Sequence, residues 1–220
     1  LLNKAMSIEP RESLFHALQG DLYALNENFN DALQAYETAI SANPGFFYGY
    51  LRKGQVSYRL DEERTARDNL ERSLELMPTA EAHYLLGMLD KKGGDAKSAM
   101  EHFEVAAGSE SEAGKSASRE LAMMDLPGNP SKYIASRAAV DQQNSVWVQF
   151  ANRSSVPVKN IEISFAWLDD QGQTRQARKN YAGPLPAGAQ DQLNLGIRLS
   201  DPNELGQRVR VQITGARVAE

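Results

Sequence analysis

The stretch ALQAYETAISANP, residues 32–44, ends on a proline that recurs at a fixed interval along the chain. Pro10 lies 34 residues before Pro44, and Pro78 lies 34 residues after it. Proline lacks a backbone N–H donor and disfavours helix in the residue before it, so each of these prolines can end a helix. Equal spacing of the helix ends predicts a repeated helical unit of about 34 residues.

Small and bulky residues recur at the same interval, with a third copy beginning one residue early. A glycine inside a helix costs about 0.5–1 kcal/mol relative to alanine, so its recurrence indicates a packing requirement. We expect each glycine on a first helix to face the alanine of the second, with the bulky residue filling the space between neighbouring helix pairs. The three sets are Gly20, Ala32 and Tyr36; Gly54, Ala66 and Leu70; and Gly87, Ala99 and Phe103.

These positions resemble the tetratricopeptide repeat (TPR), a helix-turn-helix unit with small residues, an aromatic and a proline at fixed places. The resemblance covers residues 1 to about 113. The third copy departs from the pattern, because Ser111 stands where the family has proline. The early tryptophan of the family is replaced by His16, Tyr50 and His83. The resemblance implies an all-α solenoid of stacked helical hairpins.

The repeat boundaries and the composition predict where the solenoid ends. Segment 111–124 has alanine, leucine and methionine at helical spacing and is expected to cap the solenoid. The following DLPGNP sequence is expected to begin a linker. Because the chain starts inside the periodic pattern, we expect a fragment of a longer protein. The predicted segments are a repeat tail at 1–12, repeats at 13–46, 47–79 and 80–110, a solenoid ending at 124 and a linker at 125–133.

Beyond the linker, the hydrophobic period changes from helical to two. Val146, Val148 and Phe150 alternate with polar residues, and similar runs continue to Ile213, separated by clusters of Gly, Pro, Asn and Asp. Six or seven strands in fewer than about 90 residues predict an all-β sandwich over residues 134–220. The predicted fold class is therefore multidomain, with an all-α TPR solenoid followed by an all-β immunoglobulin-like sandwich.

The sequence FAWLDDQG, residues 165–172, followed by LPAG at 185–188, is similar to the FxLYD-type immunoglobulin-like modules of bacterial envelope proteins. Phe165 and Asp169 match the name-giving positions, whereas Trp and Leu replace the family's Leu and Tyr. This resemblance implies a location in the bacterial periplasm or cell envelope.

Composition and charge exclude several kinds of function. The net charge of −5 is divided into −8 over residues 1–130 and +3 over residues 131–220, and neither part resembles a basic nucleic-acid-binding face. The apolar runs are far shorter than the roughly 20 residues that a membrane helix needs, so no membrane insertion is expected. With no cysteine, three histidines interpreted as packing or surface residues and no catalytic motif, we predict no enzyme activity, no cofactor and no metal site.

The TPR resemblance implies a concave groove lined by the first helix of each repeat. Three tyrosines with leucine and methionine among few charges favour a protein or peptide partner there, although some rings could instead pack against the cap or the preceding chain. Of the positions at which one TPR subclass grips C-terminal carboxylates, only Arg52 has the required residue. The candidate groove residues are Leu14, Asp21, Tyr48, Leu51, Arg52, Gln55, Tyr58, Tyr84, Met88 and Lys91.

The sequence therefore predicts a non-catalytic protein-interaction module, with the sandwich as a second docking element and no prediction of oligomeric state. One alternative is the C-terminal substrate-recruiting or regulatory region of an envelope zinc metalloprotease whose catalytic domain lies outside this chain. Another is an assembly factor that is a lipoprotein or part of a secretion machine.

Overall fold

The computed structural model describes Glu9 and residues 12–219. These residues belong to two compact units, of which the first ends at Ala117 and the second begins at Ser118. Most of the predicted repeat tail at 1–12 lies outside the described residues. No helix in the described ranges combines the length and the apolar character that a membrane crossing requires.

The first unit contains three consecutive helical hairpins, each built from two helices joined by a short turn. The second helices of the first two hairpins end just before Pro44 and Pro78, as the proline spacing predicts. The helices are α1 (Ser13–Leu25), α2 (Phe29–Ala42), α3 (Phe47–Arg59), α4 (Glu63–Leu76), α5 (Ala80–Gly93) and α6 (Ala96–Ala107).

The repeated glycines make room for the bulky residue of their own hairpin. A Cβ atom added to Gly20 would lie 2.5 Å from the Tyr36 ring, and one added to Gly87 would lie 2.7 Å from the Phe103 ring. At Gly54 an added Cβ atom would lie 2.8 Å from Leu70 and 3.2 Å from the carbonyl oxygen of Ala66, so this glycine also faces its alanine as expected, whereas at Gly20 and Gly87 the nearest atoms belong to the bulky residue. The physical reason is size, because a fully buried aromatic ring needs the space that the missing side chain leaves.

Helix α7 (Glu112–Asp125) contributes residues to both units. Ala117 is fully buried and belongs to the helical unit, whereas Ala122 and Leu126 pack in the hydrophobic core of the second unit. The first compact unit therefore ends inside α7, and an end of the solenoid at residue 124 stays a prediction. The segment predicted as a linker, residues 125–133, contains a short helix, α8 (Pro130–Tyr133).

The second unit contains two three-stranded antiparallel sheets with strand orders β1-β2-β5 and β4-β3-β6. Alternate residues of β2 are buried, as the period of two predicts, and the same alternation holds in β3 from Ile161 to Phe165. The turn cluster near residue 203 contains a 3-10 helix (Pro202–Glu204) and a short helix, α9 (Leu205–Arg208). The strands are β1 (Ile134–Val140), β2 (Ser145–Asn152), β3 (Val158–Leu168), β4 (Thr174–Tyr181), β5 (Gln190–Arg198) and β6 (Val209–Val218).

Asn152 at the end of β2 joins two loops of the sandwich. Its side chain is buried, with 1% of the residue exposed, and its amide Nδ2 donates to the carbonyl oxygens of Val156, Leu185 and Pro186 at 2.8–3.1 Å. Its Oδ1 accepts hydrogen bonds from the backbone N–H and the hydroxyl of Ser154. A buried amide with this many partners fixes the loop conformations at this end of the sandwich.

Candidate functional site

The leading helices of the three hairpins form one continuous wall, because α1 contacts α3 and α3 contacts α5. All the sequence-predicted groove residues lie on these three helices. Their side chains fall into three groups, which differ in what they contact.

The first group is a hydrogen-bond network centred on the carboxylate of Asp21. This carboxylate accepts from the hydroxyl groups of Tyr36 and Tyr48 and from Nε of Arg52, each at 2.8 Å. Arg52 also donates through Nη1 to Oε1 of Gln55 at 2.6 Å, and the same nitrogen lies 4.0 Å from a carboxylate oxygen of Glu81. These contacts connect side chains of α1, α2, α3 and α5, so the network joins consecutive hairpins.

The network keeps its tyrosines neutral. Burial and the hydrogen bond to Asp21 together raise the pKa of Tyr48 to about 12. The pKa of Tyr36 is raised for the same two reasons. Because both hydroxyl groups remain protonated near neutral pH, the two tyrosines donate their hydrogen bonds to the side-chain oxygens of Asp21.

The second group packs in the core. Leu51 is 3% exposed and lies in the hydrophobic core of the second and third hairpins, so it does not line an open surface. Tyr58 and Tyr84 are half-buried and pack against the same core, and the Tyr84 ring lies 6.0 Å from that of Phe103. Leu51 lies on the face of α3 that packs against the hydrophobic core. The positions carried over from the TPR family did not distinguish this face from the groove face.

The third group is more accessible to solvent. Leu14 is 44% exposed, Met88 is half-buried, and Lys91 is exposed near the end of α5. These three side chains are spread along the wall, and none of them borders the cleft described next.

An open cleft of about 570 Å³ lies between α3, α5 and the beginning of α7. Two predicted groove residues, Gln55 and Tyr84, line it. The other lining residues include four hydroxyl side chains and two carboxylates beside three apolar side chains, and none of the lining residues is lysine or arginine. The other lining residues are Thr79, Ala80, Glu81, Leu85, Ser109, Ser111, Glu112, Ala113 and Ser116.

Local interactions at two helix ends shape this cleft. Thr79 caps α5 by accepting a hydrogen bond from the backbone N–H of Ala82 at 3.2 Å. Across the cleft, the turn before α7 approaches Gly114 so closely that an added Cβ atom would lie 1.9 Å from the carbonyl oxygen of Ser109. Only glycine permits this contact, which brings Ser109 and Ser111 to the rim.

A histidine pair outside the cleft was missed by the sequence analysis. Nδ1 of His83 on α5 lies 3.0 Å from Nδ1 of His102 on α6. Nε2 of His102 lies 3.7 Å from Oδ2 of Asp90, whose other oxygen accepts from Arg67 at 2.6 Å. The two histidines occupy different positions in the repeat, so the periodicity gave no sign that they meet. Within the described part of the chain, no three or more His, Asp or Glu side chains form a cluster suited to a metal ion.

Comparisons with known proteins agree with the helical arrangement. A sequence profile of the tetratricopeptide repeat matches residues 15–46. The helical unit has the TPR fold. A comparison with curated proteins found no match.

Several solved structures are similar to the chain. A structure of MamA is 21% identical, covers 56% of this chain and 72% of its own, and has a TM-score of 0.50. YrrB, described as a TPR protein with an unusual peptide-binding site, is 20% identical over 57% of this chain and 64% of its own, with a TM-score of 0.52. MamA (41 to the end) from Desulfovibrio magneticus RS-1 is 20% identical, covers 60% of this chain and 74% of its own, and has a TM-score of 0.50.

At these identities the similarity concerns the fold alone. The family profile matches residues 15–46, and the likeness of the second unit to FxLYD-type modules stays a prediction.

Proposed function

We propose that this chain is a non-catalytic protein-interaction module that binds an extended peptide segment in the cleft between α3, α5 and α7. The TPR fold supports an interaction role. The observation that carries the proposal is the open cleft of about 570 Å³ on the wall of leading helices, where Gln55 and Tyr84 stand at its surface. A cleft of this volume lies within the range of sites that bind small ligands or short peptide segments.

The polar groups of the cleft suit a peptide backbone. Because Oε1 of Gln55 accepts from Arg52, the amide nitrogen of Gln55 is the part of this side chain directed to other acceptors. At the rim, the hydroxyl groups of Thr79 and Ser111 can donate to a ligand, whereas that of Ser109 already donates to Ser111. An extended peptide presents alternating donors and acceptors, so it can use both kinds of group.

The charge of the cleft favours a basic peptide. Its lining contains Glu81 and Glu112 but no lysine or arginine; Glu112 is paired with Lys115 at 2.7 Å, so the carboxylate offered to a ligand is that of Glu81, whose side chain is 39% exposed. Arg52 lies nearby, but its guanidinium is held by Asp21 and Gln55, so a ligand carboxylate would have to displace these contacts. Capture of an acidic C-terminal tail is therefore disfavoured, and a lysine or arginine side chain in the ligand is favoured.

In this proposal the sandwich is a second docking element. A polar depression of about 660 Å³ on the sheet β1-β2-β5 supports this part of the proposal. Its lining includes Arg137, Gln149, Gln190 and Gln192, which offer several hydrogen-bonding groups on neighbouring strands.

A displayed peptide library tests the proposal. We expect selection to enrich sequences with lysine or arginine, and dissociation constants of the best synthetic peptides can be measured by fluorescence anisotropy. Gln55→Ala and Glu81→Gln should each weaken binding by about tenfold, which corresponds to about 1.4 kcal/mol. Glu104→Gln, a charge change at an exposed site on α6, is the matched control and should leave affinity unchanged.

Selected peptides that bind the cleft variants and the unchanged protein equally well would place their site elsewhere and contradict the proposal. Enrichment of acidic peptides would contradict the charge argument. Far-UV circular dichroism of each variant establishes that the helical unit is intact before affinities are compared.

A further inference from the structure

Two arginines on the sheet β1-β2-β5 lie on opposite sides of a floor of small residues. In the antiparallel register, Ala135 lies opposite Ala151, with Arg137 two residues further along β1 and Arg153 two residues further along β2. Residues two apart on a strand point to the same face of the sheet. All four residues line the depression of about 660 Å³, which we call the arginine trough.

The strand geometry gives the spacing of the two arginines. Arg137 lies opposite Gln149, and Gln149 is four residues from Arg153. At a rise of about 3.3 Å per residue, the arginines are therefore about 13 Å apart along the strands. An extended ligand has nearly the same rise, so one that lies along the strands can meet both arginines with side chains four residues apart.

Both guanidinium groups can bind a further acceptor. Nε of Arg137 donates to Oε1 of Gln149 at 2.8 Å, and its terminal nitrogens still carry donors. Arg153 is exposed, and its guanidinium forms no ion pair with any residue that the structure describes. Arginine pairs with a carboxylate through two parallel hydrogen bonds, so each side chain suits an acidic residue of a ligand.

The carboxylate of Asp191 also lines the trough, but both of its oxygens have partners. Oδ2 accepts from the hydroxyl group of Tyr181 at 2.7 Å, and Oδ1 accepts from the backbone N–H of Gln192 at 2.7 Å. The two arginines outnumber this carboxylate, and residues 131–220 together carry a net charge of +3. The charge of the trough is therefore complementary to an acidic ligand.

The glutamines of the trough favour a peptide over an acidic sugar polymer. Gln190 and Gln192 are exposed on β5, and each amide offers donors and an acceptor, as the backbone of an extended peptide does. An exposed aromatic ring would provide a platform for a sugar ring. Among the described lining residues, the aromatic one is Phe150, which is only 2% exposed.

We propose that the arginine trough binds an extended acidic segment of a protein partner. Two aspartate or glutamate side chains, four residues apart, pair with Arg137 and Arg153, and the ligand backbone contacts the glutamine amides of β5. This proposal rests on the proposed interaction role and gives the second docking element a ligand. The chain then offers one site for a basic segment on its helical unit and a separate site for an acidic segment on its sandwich.

Fluorescence anisotropy of labelled synthetic peptides with the full chain tests the proposal. The probe is a serine- and threonine-rich peptide with two glutamates four residues apart. It should bind at least tenfold more tightly than the same peptide with glutamines in place of the glutamates. Arg137→Gln and Arg153→Gln should each raise its dissociation constant about tenfold. Arg210→Gln, the same substitution at an exposed residue of β6 in the other sheet, is the matched control and should leave it unchanged.

A second peptide tests the extended geometry. Glutamates three residues apart point to opposite sides of an extended chain, so this peptide should bind about tenfold more weakly than the probe. Equal affinity of the two peptides, no binding of the probe, or equal losses in the Arg137, Arg153 and Arg210 variants would overturn the proposal. Binding of an oligogalacturonate that depends on both arginines, without binding of the probe, would identify a sugar site and also overturn it. Tryptophan fluorescence establishes that the sandwich of each variant is folded.

Cross-tests with the cleft variants separate this proposal from that of the peptide cleft. Gln55→Ala and Glu81→Gln should leave the affinity for the acidic probe unchanged, and the two arginine variants should leave the affinity for basic peptides unchanged. If basic peptides do not bind but the probe binds through the arginines, the cleft proposal fails and the trough is supported. If basic peptides bind the cleft and the probe does not bind, only the trough proposal is overturned.

Discussion

Nε of Arg52 donates to a carboxylate oxygen of Asp21 at 2.8 Å, and this contact joins the first hairpin to the second. Both side chains are largely buried, and Asp21 also accepts from two tyrosine hydroxyl groups. Arg52→Gln should lower the free energy of unfolding by about 1.5–3 kcal/mol, because it leaves a buried carboxylate with one charged partner fewer. Urea unfolding followed by circular dichroism at 222 nm measures the change in the helical unit.

The control for Arg52→Gln is a substitution in the ion pair between Lys97 and Glu101, whose side chains are mostly exposed. Lys97→Ala should change stability by less than about 0.5 kcal/mol, because solvent screens the pair. A double-mutant cycle between Asp21→Asn and Arg52→Gln should give a coupling energy of about 1 kcal/mol. Additive effects of the two substitutions would contradict the direct interaction.

Gly20→Ala should destabilise the first hairpin. The added methyl group would lie 2.5 Å from the ring of Tyr36, which is fully buried and tied by its hydroxyl group to Asp21, so the ring cannot easily move away. We expect a net loss of about 1–2 kcal/mol, because the cost of overpacking exceeds the better helix propensity of alanine. Thermal unfolding monitored at 222 nm measures it.

Gly93→Ala is the matched control for this substitution. Gly93 also lies in a helix, but a Cβ atom added there meets no other atom within 4 Å. This variant should be unchanged or more stable by up to about 1 kcal/mol. Equal destabilisation by both substitutions would point to a general effect of the helix and contradict the steric explanation.

Sequence periodicity could predict the solenoid because its signal is local. Helices α2 and α4 end just before Pro44 and Pro78, because proline disfavours helix in the residue before it, and the spacing of Gly20 and Gly54 reflects a packing requirement that each hairpin repeats. Alternation of apolar residues likewise predicted the strands, since side chains of a strand point to opposite faces. These patterns did not predict that the boundary between the two units falls inside α7. The spacing of apolar residues identifies an amphipathic helix, but it does not identify the hydrophobic core in which those residues pack.

The candidate site was harder to predict, because its contacts depend on side chains from several helices. Asp21 was predicted as a groove residue, but three donors, one of them from α2, occupy its carboxylate. Leu51 shares a helix with exposed positions but faces the core. The His83–His102 contact joins positions with no common place in the repeat. Such contacts follow from the packing of helices, which a single sequence does not specify residue by residue.

Asp125 should make the stability of the second unit dependent on acid pH. Burial alone would raise the pKa of its carboxyl group, but hydrogen bonds from Asn129, Lys132 and Tyr133 outweigh burial and hold the pKa below its usual value. As the pH falls, the carboxyl group of Asp125 therefore binds a proton at a higher pH in the unfolded chain than in the folded protein. The stability that Asp125 contributes is present above its unfolded pKa of about 4 and is lost as pH falls through the lower folded pKa.

Asp125→Asn tests this dependence. At pH 7 the variant should be less stable by about 1.5–3 kcal/mol, and the difference should shrink as the pH is lowered below about 4. Fluorescence is the suitable signal, because both tryptophans, Trp147 and Trp167, lie in the second unit. A difference that stays constant from pH 7 to pH 3 would contradict the assigned direction of the pKa shift.

Asn152→Asp should strongly destabilise the sandwich, although the two side chains have nearly the same size and shape. The amide nitrogen that donates to Val156, Leu185 and Pro186 would become an oxygen that faces three carbonyl oxygens in a buried place. Burying an unpaired carboxylate costs several kcal/mol, so the group is expected to take up a proton or force the loops apart. We expect a loss of at least about 3 kcal/mol at pH 7, measured by urea unfolding with tryptophan fluorescence.

The same substitution at Asn180, an exposed residue of β4, separates the effect of burial from that of added charge. Asn180→Asp should change stability by less than about 0.5 kcal/mol. Lowering the pH to about 4 should recover part of the stability of Asn152→Asp, because protonation removes the buried charge and restores one donor. If instead Asn152→Asp unfolds like the Asn180 variant at both pH values, the amide does not hold the two loops together, and the buried hydrogen bonds of Asn152 contribute little to the sandwich.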